Sequence, residues 1–490
     1  MIREQNMKRS TNPSNGVKNR QPVDENLIGV FIDNLPRQFS PILLRDLCTC
    51  TSCLDASTKQ KLFSTADIPS NIKARAVAQD ADGISVLWDN DVAGYDQDHA
   101  SVLDVQTLGA MAQTGIGPGV ASDSYHPGRQ IIWDAEKYRA LADIDYEAYM
   151  QDESTLFRAL QQLHRYGMLF LTNVPEDEKS VSTIAERIGP VKNTFYGYTW
   201  DVRSVPEAKN VAYTSQDLGF HMDLLYMRQP PHLQFLHCIR SSAAGGASLF
   251  ADSYRAAADL FDQDVSAFLS LATSATNFQY NHPASHLYQQ EHSTIFMEPP
   301  GTFNTFMNFA RAYQRMTNGR DQSTSDARSA AREYEALKSR RKRIEDYIKN
   351  VAWSPPFQAP FKLSQWHLNN AEDRSDGLNQ KARTWHQAAK VFNQLIHQES
   401  GMYERMMGPG ECVIFDNRRV LHARRAFEVG DAGKERWLRG AYLDWDPYWS
   451  KMRVLGRQYG HEGSQADSNS DDSFASDGSK GPWGLNEHDS

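Results

Sequence analysis

Cysteine is scarce in this chain: 490 residues hold five, and three of those fall within six positions. So few, so clustered, cannot form a disulfide framework for a protein this long. Long apolar runs are also missing. None approaches the ~20 residues that cross a bilayer, and no apolar signal-peptide core stands near the N-terminus. A membrane anchor is therefore not expected. Nor is there an excess of positive charge. With 52 Lys and Arg against 61 Asp and Glu, the net charge is −9 and the pI about 5.9, which argues against nucleic acid or an anionic membrane as a general partner. Internal repeats are lacking too.

What is present is enough apolar material for packed cores, 40% hydrophobic and 11% aromatic, in a chain longer than one core usually organises. Two domains with tails are expected. Residues 1–25 carry Arg3, Lys8, Arg9, Lys18 and Arg20 among Ser and Asn without an amphipathic stripe. They read as a disordered tail rather than a transit peptide, so the cytoplasm is the expected compartment, with the mitochondrion as the alternative. Leu27 to Phe39 and Ile84 to Trp88 read as short strands, placing a small β-rich N-terminal domain at 26–108. Residues 109–144 are expected to be linker, with five glycines and two prolines between Gly109 and Gly128. A larger domain spans 145–458. It opens with a helix from Asp152, where Leu156, Leu160 and Leu163 recur at helical spacing and Gly167 can cap the end before the strand Met168–Val174. Ser180–Ile188 is a second helix. Residues 211–280 read mostly as strands, residues 319–350 as a charged, solvated helix, and Trp385–His397 as a further helix. Cys238 and Cys412 are expected only to pack. Residues 459–490, rich in Ser, Asp and Gly, form an acidic disordered tail.

Two clusters carry chemistry. Cys48, Cys50 and Cys53 cannot pair among themselves without leaving one over, but three thiolates can wrap one Zn²⁺. His99, the only histidine between Met1 and His126, can be the fourth ligand; the alternative is three reduced structural cysteines. Such a closed site would be structural. Farther on, His221 and Asp223 stand two apart, so on a strand they project from one face. His422, from a later strand, would complete two histidines and one carboxylate, the set found in non-haem Fe(II) oxygenases, which leaves coordination positions open. Asp416 is more simply a turn residue.

Several runs in order, Phe195-Tyr196-Gly197-Tyr198-Thr199-Trp200, Asn210-Val211-Ala212-Tyr213-Thr214, His221-Met222-Asp223-Leu224 and Arg436-Trp437-Leu438-Arg439-Gly440-Ala441-Tyr442, together with the cysteine cluster, make residues 26–455 resemble the γ-butyrobetaine and trimethyllysine dioxygenase family. The resemblance implies an α+β protein: a double-stranded β-helix (jelly-roll) catalytic domain with flanking helices behind the small zinc-binding domain. It implies a 2-oxoglutarate-dependent hydroxylase in which His221, Asp223 and His422 hold Fe(II), with ascorbate as reductant. Arg436 would grip the distal carboxylate of 2-oxoglutarate through a guanidinium fork, against Arg424, Arg425 and Arg439 as competitors, and Ser248 would touch the same co-substrate. Tyr196, Trp200, Tyr213 and Tyr442 would form an aromatic cage for a trimethylammonium group, which has no N–H to donate and is held by ring faces; buried aromatics also serve cores. Asn210 and Asn370 would orient the substrate's carboxylate. The favoured reaction is γ-butyrobetaine to L-carnitine, in a homodimer. The alternatives are trimethyllysine or another small metabolite, and a non-catalytic binder of methylated amines. Met222, Asp98 and the insert at 319–350 depart from the family pattern and bear on the substrate more than on the chemistry.

Overall fold

The computed structural model describes residues 27–80, 83–114, 127–203, 215–242, 244–297, 344, 347–363, 374–428 and 436–460, and the chain divides after Ser124 into two compact units.

In the N-terminal unit, alternation of Ile28, Val30 and Ile32 with exposed positions makes β1 (Ile28–Ile32), which pairs with β2 (Leu35–Phe39). α1 (Pro41–Asp46) follows, with proline at its first turn, where a missing N–H costs nothing. A second antiparallel sheet joins β3 (Ala74–Gln79), β4 (Gly83–Trp88) and β5 (Ala100–Asp104), and α2 (Val105–Thr114) closes the unit. Ile84, Val86 and Trp88 alternate inward with Ile28, Val30 and Ile32 to make one core. Part of the expected linker is thus structured: 109–114 continue α2, and at its other end Trp133 is buried and α3 (Ala135–Arg139) belongs to the second unit. Gly115, Gly117, Gly119 and Gly128 stand between these stretches in the sequence, and their composition masked the flanking apolar anchors.

The second unit runs through β6 (Ile144–Asp145), α4 (Tyr146–Gln151), α5 (Glu153–Tyr166), β7 (Met168–Thr172), α6 (Ser180–Ile188), β8 (Thr199–Arg203), β9 (Leu218–His221), β10 (Leu233–Arg240) and β11 (Ser248–Asp252). Then come α7 (Ser253–Gln263), α8 (Val265–Thr273), β12 (Ala275–His282), β13 (His286–Ser293), β14 (Ile295–Met297), β15 (Ile348–Val351) and α9 (Ser375–Ile396). The last elements are β16 (Met402–Arg405), β17 (Glu411–Asp416), β18 (Val420–Arg424), β19 (Trp437–Leu443) and α10 (Trp445–Tyr459). Asp152 caps α5 by accepting from Ser154 and Thr155, and Gly167 ends it at φ 77°, a left-handed position that favours glycine.

Six strands form one sheet in the order β6-β7-β17-β10-β19-β8, and four form a second, β16-β11-β18-β9. The first is antiparallel except where β6 joins β7. The sheets bury facing side chains between them: Phe250 of β11 meets Phe170 of β7 and Phe415 of β17 with ring centroids 5.9 and 5.8 Å apart. Each such ring removed from water contributes ~1.5–3 kcal/mol. α5, α6 and α10 cover the outer face of the larger sheet, while α7, α8 and α9 pack in the cluster that includes the smaller sheet's Phe220, Leu249 and Leu421.

Two expectations fail here. Residues 253–273, read among strands, are α7 and α8, each begun by an aspartate cap at Asp252 and Asp264; the alanines at 256–258 favour helix over the apolar-run signal. The helix expected at 385–397 begins ten residues earlier, because the first half of α9 is exposed and carries no apolar periodicity. Of the charged insert at 319–350, only Ile344 and 347–350 lie within the described residues, and the strand β15 begins at Ile348.

Candidate active site and metal centres

Register brings the histidines together. β18 pairs with β9 so that His422 stands opposite His221, with ring centroids 4.1 Å apart. Asp223 arrives differently from the strand-alternation argument. β9 ends at His221, and Asp223 lies beyond it at the start of a turn. Its carboxylate still converges: Oδ1 is 3.4 Å from His221 Nε2 and 4.0 Å from His422 Nε2.

The donor set fits a cation. His221 donates from Nδ1 to the carbonyl of Gly219 at 2.9 Å, which aims Nε2 at the carboxylate oxygen. An ion bound between them would take the place of the proton they otherwise share. All three ligand atoms lie within 4.8 Å of one another, near the ~4 Å that one ion can bridge with bonds of ~2 Å. Protonation states agree. Burial, with His221 alongside, pushes His422 down to about 3. Burial opposes charge on Asp223, yet His221, His422 and Tyr442 hold its carboxyl well below the usual range. A neutral imidazole and an ionised carboxylate are the forms that ligate metal.

The triad opens into a cleft of about 870 Å³, counting its mouth, between the two sheets. Tyr196, Trp200, Tyr442, Ser248 and Arg436 all line it, as do Tyr226, Gln234, Phe357 and Arg424. Tyr213, Asn210 and Asn370 lie outside the described residues. Trp200 sits on β8 and not on a helix, so its four-residue spacing from Tyr196 reflects no helical packing. Trp200 and Tyr442 stack at 3.9 Å and 22°, and Tyr442 donates its hydroxyl to Asp223 Oδ2 at 2.6 Å. The Tyr196 and Tyr226 hydroxyls meet at 3.2 Å.

The four candidate arginines separate cleanly. Arg425 is exposed and pairs with Glu404 at 3.2 Å. Arg439 pairs with Asp201 at 2.7 Å. Arg436 is buried in the cleft, and no carboxylate pairs with it among the described residues. Burial and the neighbouring Arg424 push it down to about 10, so it stays a cation at neutral pH that an incoming anion would compensate. Arg424 joins it there, bonded to the carbonyl of Gln216 at 2.8 Å. Both guanidiniums lie over the Phe427 ring, 4.8 and 5.6 Å from its centroid.

In the N-terminal unit, His99 Nε2 lies 3.7, 3.4 and 3.3 Å from the sulfurs of Cys48, Cys50 and Cys53. A tetrahedral ion with bonds of ~2.3 Å to sulfur and ~2.0 Å to nitrogen would hold S and N about 3.5 Å apart, so the four fit zinc. His99 donates from Nδ1 to Asp91 at 2.6 Å, which aims Nε2 at the sulfurs. Buried Arg45 pairs in turn with Asp91 and reaches Cys53 Sγ at 3.3 Å.

A model of the taurine catabolism dioxygenase TauD, TfdA family matches residues 125–442, more than half of the chain. The chain belongs to the TauD/TfdA family. A second model, the γ-butyrobetaine hydroxylase-like N-terminal one, matches residues 23–99. Dioxygenase str8 of Strobilurus tenacellus is 31% identical, over 87% of this chain and 87% of its own. The γ-butyrobetaine dioxygenase of Homo sapiens is 25% identical, over 87% and 93% respectively. The mitochondrial trimethyllysine dioxygenase of Gallus gallus is 24% identical, over 87% and 85%. This TauD/TfdA protein is a 2-oxoglutarate-dependent dioxygenase, and enzymes of its family use Fe(II) and 2-oxoglutarate. No described helix is long and apolar enough to cross a membrane.

The sequence reading missed Tyr226, Gln234 and Phe357 in the dioxygenase's cleft. Tyr226, three residues after Asp223, was the one with a local signal. It also overlooked Gly440, which pairs with Trp200 across β19 and β8. A Cβ there would overlap Cε2 and Cζ2 of the indole. Gly440→Ala is therefore expected to push Trp200 off Tyr442 at an overpacking cost of about 1–3 kcal/mol. Thermal melting and the substrate KM should worsen together while the 2-oxoglutarate KM holds; an unchanged melting curve would show that the ring moves aside freely.

Proposed function

We propose that this dioxygenase hydroxylates a small trimethylammonium substrate, γ-butyrobetaine to L-carnitine, at a site where His221, Asp223 and His422 hold Fe(II). The observation that carries the reading is the aromatic wall of Tyr196, Trp200 and Tyr442 in the same cleft as the triad. A quaternary ammonium gains on the order of 0.5–2 kcal/mol from each ring face it meets. Bound iron, with 2-oxoglutarate and dioxygen, supplies the oxidising chemistry, which yields succinate, CO₂ and the hydroxylated product.

The chain's own residues position the reactants. Arg436 holds the distal carboxylate of 2-oxoglutarate by paired charge-assisted bonds, and Ser248 contacts it beside Arg424, its cross-strand neighbour. Tyr442 occupies Oδ2 of Asp223, leaving Oδ1 as the metal-facing oxygen. Leu218, Leu236, Phe250 and Leu438 exclude water around the reacting carbon. The Cys48, Cys50, Cys53 and His99 cluster would hold a structural zinc. The two packed sheets fit the halves of a double-stranded β-helix.

A second reading keeps the chemistry and replaces the cation with an uncharged aromatic or apolar molecule. It is favoured by the stack of Trp200 on Tyr442, which hides one face of each ring. Succinate release with Fe(II), 2-oxoglutarate and ascorbate separates the two. Stimulation by γ-butyrobetaine, lost in His221→Ala, is the expected result. Stimulation by trimethyllysine alone would move the reaction within the family. Turnover indifferent to both amines would discard the trimethylammonium reading.

A further inference from the structure

Asp223 lies past the end of β9, where no strand ladder fixes its backbone, and the next residue, Leu224, has φ 62°. That left-handed conformation is unusual for a residue with a side chain and persists only where its surroundings hold it. The Met227 N–H donates to the Leu224 carbonyl at 2.9 Å within the turn, and the group that holds the adjoining Asp223 from outside it is the side chain of Asn417, fully buried and 194 positions away. Its Oδ1 accepts from the Asp223 N–H at 2.8 Å. Its Nδ2 donates to the Asp223 carbonyl at 3.0 Å and to that of Pro231 at 3.3 Å. One carboxamide thus closes on both backbone polar groups of Asp223, as a neighbouring strand would. The backbone N–H of Asn417 is itself anchored on the carbonyl of His232 at 2.8 Å.

We infer that Asn417 is a positioning residue for Asp223, setting the backbone from which the carboxylate reaches the metal while Tyr442 sets the rotation of the carboxylate itself. The inference rests on the proposed reading that Asp223 is an iron ligand. Without Asn417, the peptide groups of Asp223 lose their buried partners, Leu224 is free to leave its strained conformation, and Oδ1 drifts from the two histidine Nε2 atoms. Supporting groups around a metal ligand typically govern 10–100-fold in metal affinity.

The test is anaerobic titration of the full chain with Fe(II) in the presence of 2-oxoglutarate, read by visible absorption of the ternary complex, with thermal melting alongside. Asn417→Ala is expected to weaken Fe(II) binding about 10–100-fold and to shift the absorption band. Adding Leu224→Gly should recover part of the melting loss, because glycine adopts the left-handed conformation without strain, and should not restore the band. If Asn417→Ala does not fold, Asn417→Asp takes its place; it keeps the acceptor for the Asp223 N–H and loses the donor, so weakened binding is again expected. Folded variants with wild-type Fe(II) affinity and band would overturn the inference. Asp223→Ala serves as the reference. If it too binds Fe(II) normally, the ligand assignment falls; if it alone loses Fe(II), only the role of Asn417 falls.

Discussion

Arg436→Met is expected to weaken 2-oxoglutarate binding by about 10²–10⁴-fold while leaving the apoprotein as stable as before or more so. The effect is electrostatic. Each charge-assisted hydrogen bond to a carboxylate contributes about 1.5–3 kcal/mol, a fork makes two, and ~1.4 kcal/mol is tenfold in affinity. In the apoprotein the same guanidinium is a burden, because it is buried beside the cation of Arg424 and no carboxylate pairs with it among the described residues. Methionine keeps the volume and removes the uncompensated charge. A purely structural arginine would show the reverse, a lower melting temperature with unchanged co-substrate affinity. The 2-oxoglutarate KM measured beside the apoprotein's melting curve decides between them, and the matched pair Arg425→Met, at an exposed ion pair, should change neither.

The largest effect on stability is expected at Arg419. Its guanidinium forks onto Asp252 at 3.0 and 2.7 Å with both side chains fully buried, and it also donates to the carbonyls of Arg165 and Ile131 at 2.9 and 2.7 Å. One side chain therefore ties the start of β18, the end of β11, the end of α5 and the segment before α3. Removing one partner of a buried pair strands the other charge, at a cost of about 3–5 kcal/mol. Arg419→Met should lower the urea midpoint accordingly. Arg419→Met with Asp252→Asn should recover part of the loss, since the unpaired charge is gone and the amide oxygen still accepts from the Tyr254 N–H, as Oδ1 of Asp252 does, although the Trp133 N–H, which Oδ2 accepts, loses its partner. No recovery in the double variant would place the effect in the carbonyl contacts instead.

The sequence was most legible where chemistry demands particular side chains at short range. Cys48, Cys50 and Cys53 announce a soft-metal site by composition and spacing, and His221 with Asp223 announces a hard one, because few residue types ligate metals at all. Local periodicity likewise sufficed for α5, α6, β1 and β10, whose apolar residues repeat at the period of the element they form. It failed at α7 and α8, where cap and alanine signals had to be weighed against an apolar run, and at the exposed half of α9.

By itself, then, the sequence determined the ligand types, the aromatic set and the family these motifs resemble. The tertiary structure decided what spacing cannot carry. It ended β9 at His221 and delivered Asp223 from a turn held by Asn417. It kept Arg436 and Arg424 in the cleft while Arg425 and Arg439 found carboxylates outside it. It also laid Trp200 on Tyr442 over a glycine. Apart from the Arg425–Glu404 pair, these depend on segments some 200 residues apart meeting in one register, and such contacts leave no period or local composition in the chain to be read.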